Sequence, residues 1–209
     1  MEDVLDLYAE EVDPLRPVVG FDETTKQLIG EVREPIAASV EGAPERFDYE
    51  YRRNGTRDLL MMVAPRLGWR HVAITERHTK REFAEQMKWL VDEAFPKASL
   101  IRVVLDNLKT HTRGALYERF EAAEAHRILQ KLEFHYTPKH GSWLNVAEIE
   151  LSIFARQCWG RRIGDEESLK KEVKKLEDER NAAAAKINWR FTVQEAREKL
   201  HRLYPSNSD

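Results

Sequence analysis

Apolar residues along this chain follow two periods, and the change from one to the other marks the elements. Residues 2–12 place Val4, Leu5, Tyr8 and Val12 on one helical side, and Pro14 and Pro17 end that pattern. Val18-Val19-Gly20-Phe21 reads as a buried strand ending at Asp22, and Lys26–Arg33 as a second strand reached by a tight turn over Glu23–Thr25. Residues 34–46 contain Pro35, Gly42 and Pro44 and read as loop. Phe47, Tyr49 and Tyr51 then alternate with Asp48, Glu50 and Arg52, a period of two that predicts a strand. Asn54-Gly55 is a strong hairpin signal, so Leu59–Ala64 is expected to return and Trp69–Thr75 to complete an antiparallel meander.

The period lengthens after residue 78. Thr79 with Glu82 forms a capping-box pattern, and Phe83, Met87, Leu90, Val91 and Phe95 follow at helical spacing until Pro96. Leu100–Leu105 is an apolar strand, Arg113–Leu132 a helical stretch, Leu132–Tyr136 a short strand and Leu144–Trp159 a helix. Asp165 caps a charged helix with the narrow stripe Leu169, Val173 and Leu176, and Thr192 caps a last one. Strands followed by alternating helix and strand predict a mixed α/β domain with helices packed on a central sheet. The helical crossover from the meander allows strand 100–105 to lie parallel beside strand 18–22, which would make Asp22 and Asp106 neighbours at the strands' carboxyl ends.

Composition narrows the class. At 209 residues, 42% hydrophobic and 34% charged, the chain can bury a real core and is not a disordered segment. No apolar run of membrane-spanning length occurs, and the acidic start Met1-Glu2-Asp3 lacks the basic region of a secretory signal. The single cysteine, Cys158, excludes an intrachain disulfide and a cysteine zinc site, and makes a reducing cytoplasm the expected setting. A net charge of −3 counts against a dedicated DNA-binding module but not against an enzyme with an acidic metal site that acts on DNA.

The candidate chemistry rests on three acids. Asp22 and Asp106 each end an apolar run, and Glu148 follows a loop containing Pro138 and Gly141 at the start of a helix. Hard anionic oxygens suit Mg²⁺, which keeps several waters and needs only one or two carboxylates per ion. Asp22 bridging two ions, with Asp106 on one and Glu148 on the other, would equip a site for phosphoryl transfer. Glu150 is the rival third acid. Positions 148 and 150 point about 200° apart on a helix, so both cannot face one site. Asn145 shares a face with Glu148, which favours Glu148.

The blocks Asp22-Glu23, Val104-Leu105-Asp106-Asn107 with His111, and Tyr136-Thr137-Pro138-Lys139-His140-Gly141-Ser142-Trp143-Leu144-Asn145-Val146-Ala147-Glu148 carry a resemblance. From about Pro17 to Pro205 the chain resembles the DDE catalytic domain of bacterial insertion-sequence transposases, the insertion sequence six-thirty branch of the mariner-like superfamily. The resemblance implies a ribonuclease H-like fold: a mixed five-stranded sheet with helices on both faces and further C-terminal helices. It implies that Asp22, Asp106 and Glu148 are the catalytic and metal-binding triad, using two Mg²⁺ or Mn²⁺ ions. Glu23, Asn107, His111, Lys139, His140 and Asn145 are then supporting or DNA-contacting candidates. Trp143 is expected to anchor the catalytic helix in the core. Arg52-Arg53 and Arg161-Arg162 are candidate phosphate contacts.

The resemblance further implies DNA as partner, at transposon ends and target, a homodimer, and a bacterial cytoplasmic, nucleoid-associated setting. Residues 1–16 are expected to be the end of a linker, 17–205 the catalytic domain and 206–209 a tail, with an N-terminal helix-turn-helix region missing and supplied in cis or trans. Two other readings stand beside this one: a silent remnant that binds DNA or protein, and a non-transposing ribonuclease H-like nuclease.

Overall fold

The computed structural model describes residues 1–33, 48–139 and 141–204. The expected loop 34–46, the start of a strand at Phe47, His140, Pro205 and the tail 206–209 lie outside the described residues.

The strands are β1 (Val18–Glu31), β2 (Tyr51–Ala64), β3 (Trp69–Thr75), β4 (Ile101–Leu105) and β5 (Leu132–Tyr136). They form one sheet in the order β3-β2-β1-β4-β5. β1, β2 and β3 pair antiparallel, while β4 runs parallel to β1 and β5 parallel to β4. This is the mixed α/β sheet that the residue pattern predicts, with the five strands that the resemblance implies. The helices are α1 (Glu2–Ala9), α2 (Lys80–Trp89), α3 (Arg113–Arg119), α4 (Ala122–Leu129), α5 (Ala147–Phe154), α6 (Glu166–Ala182) and α7 (Val193–Lys199).

Two expected turns are absent. Residues Glu23–Thr25 do not turn: β1 is one 14-residue strand, paired with β2 from Gly20↔Val63 to Glu31↔Tyr51. The polar Glu-Thr-Thr cluster resembles a turn only because it leaves the core, and the β-branched threonines suit extended backbone. Asn54-Gly55 makes no hairpin either. It is an irregularity inside β2, where the register steps from Gln27↔Thr56 to Ile29↔Arg53, and Gly55 takes φ 93°. That φ favours glycine, as a bulge often does. Local chemistry was right about the backbone angle, but β1 is a better partner for β2 than β2's own other half.

β2 shows how the sheet is covered. Leu59, Met61 and Val63 enter the core on one face, and Leu60, Met62 and Ala64 enter the core on the other. An unbroken apolar run is what a central strand buried on both faces requires. α2, α3 and α4 cover the second face through Phe83, Met87, Leu116 and Ile128. α1, α5, α6 and α7 cover the first through Leu5, Phe154, Val173 and Ala196. Each fully buried Val, Leu, Ile, Phe or Met side chain contributes about 1.5–3 kcal/mol.

Other boundaries shift for local reasons. The helical stretch 113–132 is two helices, because Phe120 and Glu121 take extended backbone. The first helix stops at Ala9, leaving Val12 exposed rather than on its apolar side. The Thr79 capping box and the Asp165 and Thr192 caps form as expected. α6 closes the free edge of β3: Asn181 accepts from the Arg70 amide at 2.8 Å and donates to its carbonyl at 2.8 Å, while Glu177 accepts from the Val72 amide at 2.8 Å. An edge whose amides are already satisfied does not template another strand.

Candidate active site

The parallel register pairs Gly20 with Val104. Extended by two residues, it sets Asp22 opposite Asp106. Asp106 directly follows β4, as the apolar run predicts. Asp22 does not end its strand. It is the fifth residue of β1, just beyond the last β4 pair, where β1 continues on β2 alone. The cleft opens at this step because one side of β1 loses its neighbour there.

α5 reaches this step because residue 20 has no side chain. A Cβ on Gly20 would stand 2.6 Å from Val146 Cγ1 and 3.1 Å from both the Ala147 nitrogen and Asn145 Oδ1. No sequence motif flagged Gly20; only the close approach identifies it. Asn145 fills the gap and is fully buried. It stands in the break between the tight turn Ser142–Leu144 and α5, so the helix begins at Ala147 rather than at Leu144. Its Nδ2 donates to the Phe21 carbonyl at 2.7 Å and to Asp22 Oδ2 at 3.3 Å, and its Oδ1 accepts from the Ala147 amide at 3.2 Å. One side chain thus ties β1, Asp22 and the first turn of α5 together. Beyond Phe154 the helix runs on as a wider π-helical turn, Ala155–Trp159, and at its end Lys26 donates to the Trp159 and Arg161 carbonyls at 2.5 and 2.7 Å, cations being favoured at helix C-termini.

The two glutamates of α5 part company. Glu148 is exposed and lines a cleft of about 250 Å³ with Asp22, Glu23 and Thr24. Glu150 is fully buried: its Oε1 lies 2.9 Å from Arg70 Nη2 and 2.8 Å from Arg180 Nη2. Glu150 is therefore neutralised inside the core, and Glu148 is the one at the cleft.

His111 sits between the acids. It is 2% exposed, with Nδ1 2.7 Å from Asp106 Oδ1 and Nε2 3.1 Å from Glu23 Oε2. Phe21 and Phe83 pack against its ring at 5.2 and 5.0 Å. Burial pulls its pKa down, but the carboxylates of Glu23 and Asp106 outweigh that and raise it. The Asn107 side chain bonds Thr137 rather than Asp106: its amide donates to the Thr137 carbonyl, and Tyr136 donates to the His111 carbonyl at 2.8 Å. Both bonds staple the loop after β4 to the end of β5.

Lys139 is exposed. Trp143 is not in the core: it is 42% exposed and packs on Trp189 and Phe191 at 6.3 and 5.6 Å. Arg162 pairs with Glu31 at 2.7 Å and Arg161 with Glu172 at 2.8 Å, so both are partly neutralised within the chain.

Asp22 carries the site's electrostatics. Its pKa is raised to about 7, first by burial, then by the charges of Glu148, Glu23 and Asp106, with the Glu23 amide opposing. A part-buried carboxylate crowded by three others suits a bound cation, which would return it to the ionised form. Among the described residues, no three His, Cys, Asp or Glu side chains stand close enough together to hold a metal ion as a group. An open set of carboxylates is nonetheless compatible with Mg²⁺ that keeps much of its water.

Residues 17–170 match the family model described as DDE superfamily endonuclease. No curated protein matches the chain. Among solved structures, the chain is similar to the Mos1 strand transfer complex, with 14% identity, TM-score 0.50 and coverage of 88% of this chain and 59% of that one. It is also similar to the mariner Mos1 paired end complex with Mg, with 16% identity, TM-score 0.53 and coverage of 89% and 54%. The Mos1 mariner paired end complex with Mn gives 17% identity, TM-score 0.50 and coverage of 87% and 55%. At these identities the likeness is one of fold, and the chain spans little more than half the length of those proteins.

Proposed function

The chain belongs to the DDE superfamily endonuclease family, and from that membership we propose that it is the catalytic domain of a transposase. It cleaves DNA strands at transposon ends and transfers them into target DNA, with Asp22, Asp106 and Glu148 as the catalytic acids. The observation that carries this reading is the placement of Asp22 next to Asp106 at the step where β1 outruns β4, with Glu148 lining the same cleft as Asp22.

Asp22, Asp106 and Glu148 would hold two Mg²⁺ or Mn²⁺ ions. Such ions supply the positive charge that activates a water or 3′-hydroxyl and that stabilises the leaving oxygen of an in-line displacement. The chain's own part is placement. Asn145 holds Asp22 and the start of α5 in one geometry, and His111 spaces Asp106 from Glu23. Lys139 and His140, between β5 and α5 in sequence, are the candidate contacts for DNA phosphate. The reading brings with it a homodimer on paired ends and a helix-turn-helix region in cis or trans, in a bacterial cytoplasm. Crystal structures of Mos1 strand transfer and paired end complexes, with Mg and with Mn, lend it support.

The test is nicking and strand transfer on labelled DNA duplexes in Mg²⁺ or Mn²⁺. Losing a ligand forfeits several kcal/mol of transition-state stabilisation, so Asp106→Ala and Glu148→Gln should each lose on the order of 1000-fold or more. A Glu148→Gln chain that nicks normally would remove Glu148 from the site. A parent chain that binds DNA but does not nick, even with a helix-turn-helix region restored, favours the silent remnant. Nicking without strand transfer favours a plain nuclease.

A further inference from the structure

α1 is joined to the candidate site by one hydroxyl. Tyr8 is 5% exposed, and its Oη donates to the Leu144 carbonyl at 3.0 Å and accepts from the Val146 amide at 3.2 Å. Those two groups flank Asn145, which itself bonds Phe21, Asp22 and Ala147. Leu144 and Val146 are buried, so neither backbone group has water to turn to. The tyrosine therefore fixes the backbone on both sides of the residue that fixes Asp22 and the first turn of α5.

The ring is held in turn. It packs against Trp189 at 5.1 Å, and Trp189 lies beside Trp143 at 6.3 Å. α1 is clamped by Glu2 to Arg197 at 2.8 Å and by Asp3 to His135 at 2.9 Å. Apolar packing alone would have accepted phenylalanine at position 8. The hydroxyl is what reaches the two backbone groups.

We infer that Tyr8 is a positioning residue for the acidic site, setting Asn145 and through it the relation of Asp22 to Glu148. The inference rests on the catalytic roles proposed for those acids. It makes α1 a working part of the site rather than a linker, since undocking α1 removes the bonds on both sides of Asn145.

The experiment compares the full chain, Tyr8→Phe and Leu129→Ala. Tyr8→Phe keeps the ring, and Leu129→Ala is a destabilising control on α4, against the opposite face of the sheet. Amide hydrogen exchange is followed over residues 143–148 and over β4. Metal-dependent nicking is followed over a Mg²⁺ titration. Tyr8→Phe is expected to speed exchange at 144–147 about tenfold while β4 stays protected. It is also expected to lower the maximal nicking rate about tenfold and to raise the Mg²⁺ needed for half that rate. Leu129→Ala should lower the melting temperature without either change. Unchanged exchange at 144–147 in Tyr8→Phe, or the same pattern in Leu129→Ala, overturns the inference. Faster exchange at 144–147 with an unchanged nicking rate and Mg²⁺ dependence also overturns it, by reducing Tyr8 to a structural bond. The Asp106→Ala comparison decides the catalytic reading beneath it, so the two fail separately.

Discussion

Replacing Glu150 with alanine leaves Arg70 as a buried charge without its counter-ion. Both side chains are fully buried, at 0% exposure each. Breaking a buried pair by removing one partner costs about 3–5 kcal/mol, because the remaining charge stays desolvated. Arg70 keeps some compensation: it still donates to the Gly68 and Arg180 carbonyls at 2.8 Å each, and to that of Ala185. Arg180 is 19% exposed and can turn toward water. The low end, about 3 kcal/mol, is therefore expected. For a domain of this size each kcal/mol moves the melting temperature by about 2–4 °C, so a fall of about 6–12 °C should appear in thermal unfolding. Glu150→Gln keeps an acceptor and should cost about half as much. Glu148→Ala, at an exposed position, should stay within about 0.5 kcal/mol of the parent. Urea unfolding of the four proteins measures the free energies and thermal unfolding the shift in melting temperature. If Glu150→Ala unfolds within 1 kcal/mol of the parent, or Glu148→Ala is the less stable of the two, the division of labour between the glutamates is wrong.

Two further tests probe the site's supports. Gly20→Ala puts a methyl where Val146 and Ala147 already stand, and overpacking of this kind should cost about 1–3 kcal/mol in urea unfolding; no loss would mean that α5 does not rest on β1 there. Cys158 has its pKa raised to about 11 by burial and by the charge of Glu172, against Arg161 and Lys26. At pH 8 about one thiol in a thousand is ionised, so alkylation should run roughly a hundredfold slower than for an exposed thiol. Because the folded-state pKa is raised, the folded chain holds this proton more tightly than the unfolded one. Its contribution to stability is intact below about pH 9 and fades as pH rises toward 11. Rapid labelling at pH 8 in the absence of denaturant would refute the burial.

What the linear chain determined is local or periodic. The capping box at Thr79, the Asp165 and Thr192 caps, the apolar runs at 59–64 and 100–105, and the 148/150 split all follow from spacing, which the backbone converts directly into geometry. Periodicity also gave the mixed α/β class and the neighbouring places of Asp22 and Asp106, because a right-handed crossover leaves few topologies open. Tertiary structure decided wherever a distant partner outweighed a local preference. Asn54-Gly55 became a bulge because β1 supplied the longer ladder, and Glu23–Thr25 stayed extended for the same reason. Gly20, Tyr8 and the Glu150–Arg70 pair carry no motif. Their roles exist only where chain segments far apart in sequence meet, and no spacing rule encodes which polar group will be buried against which.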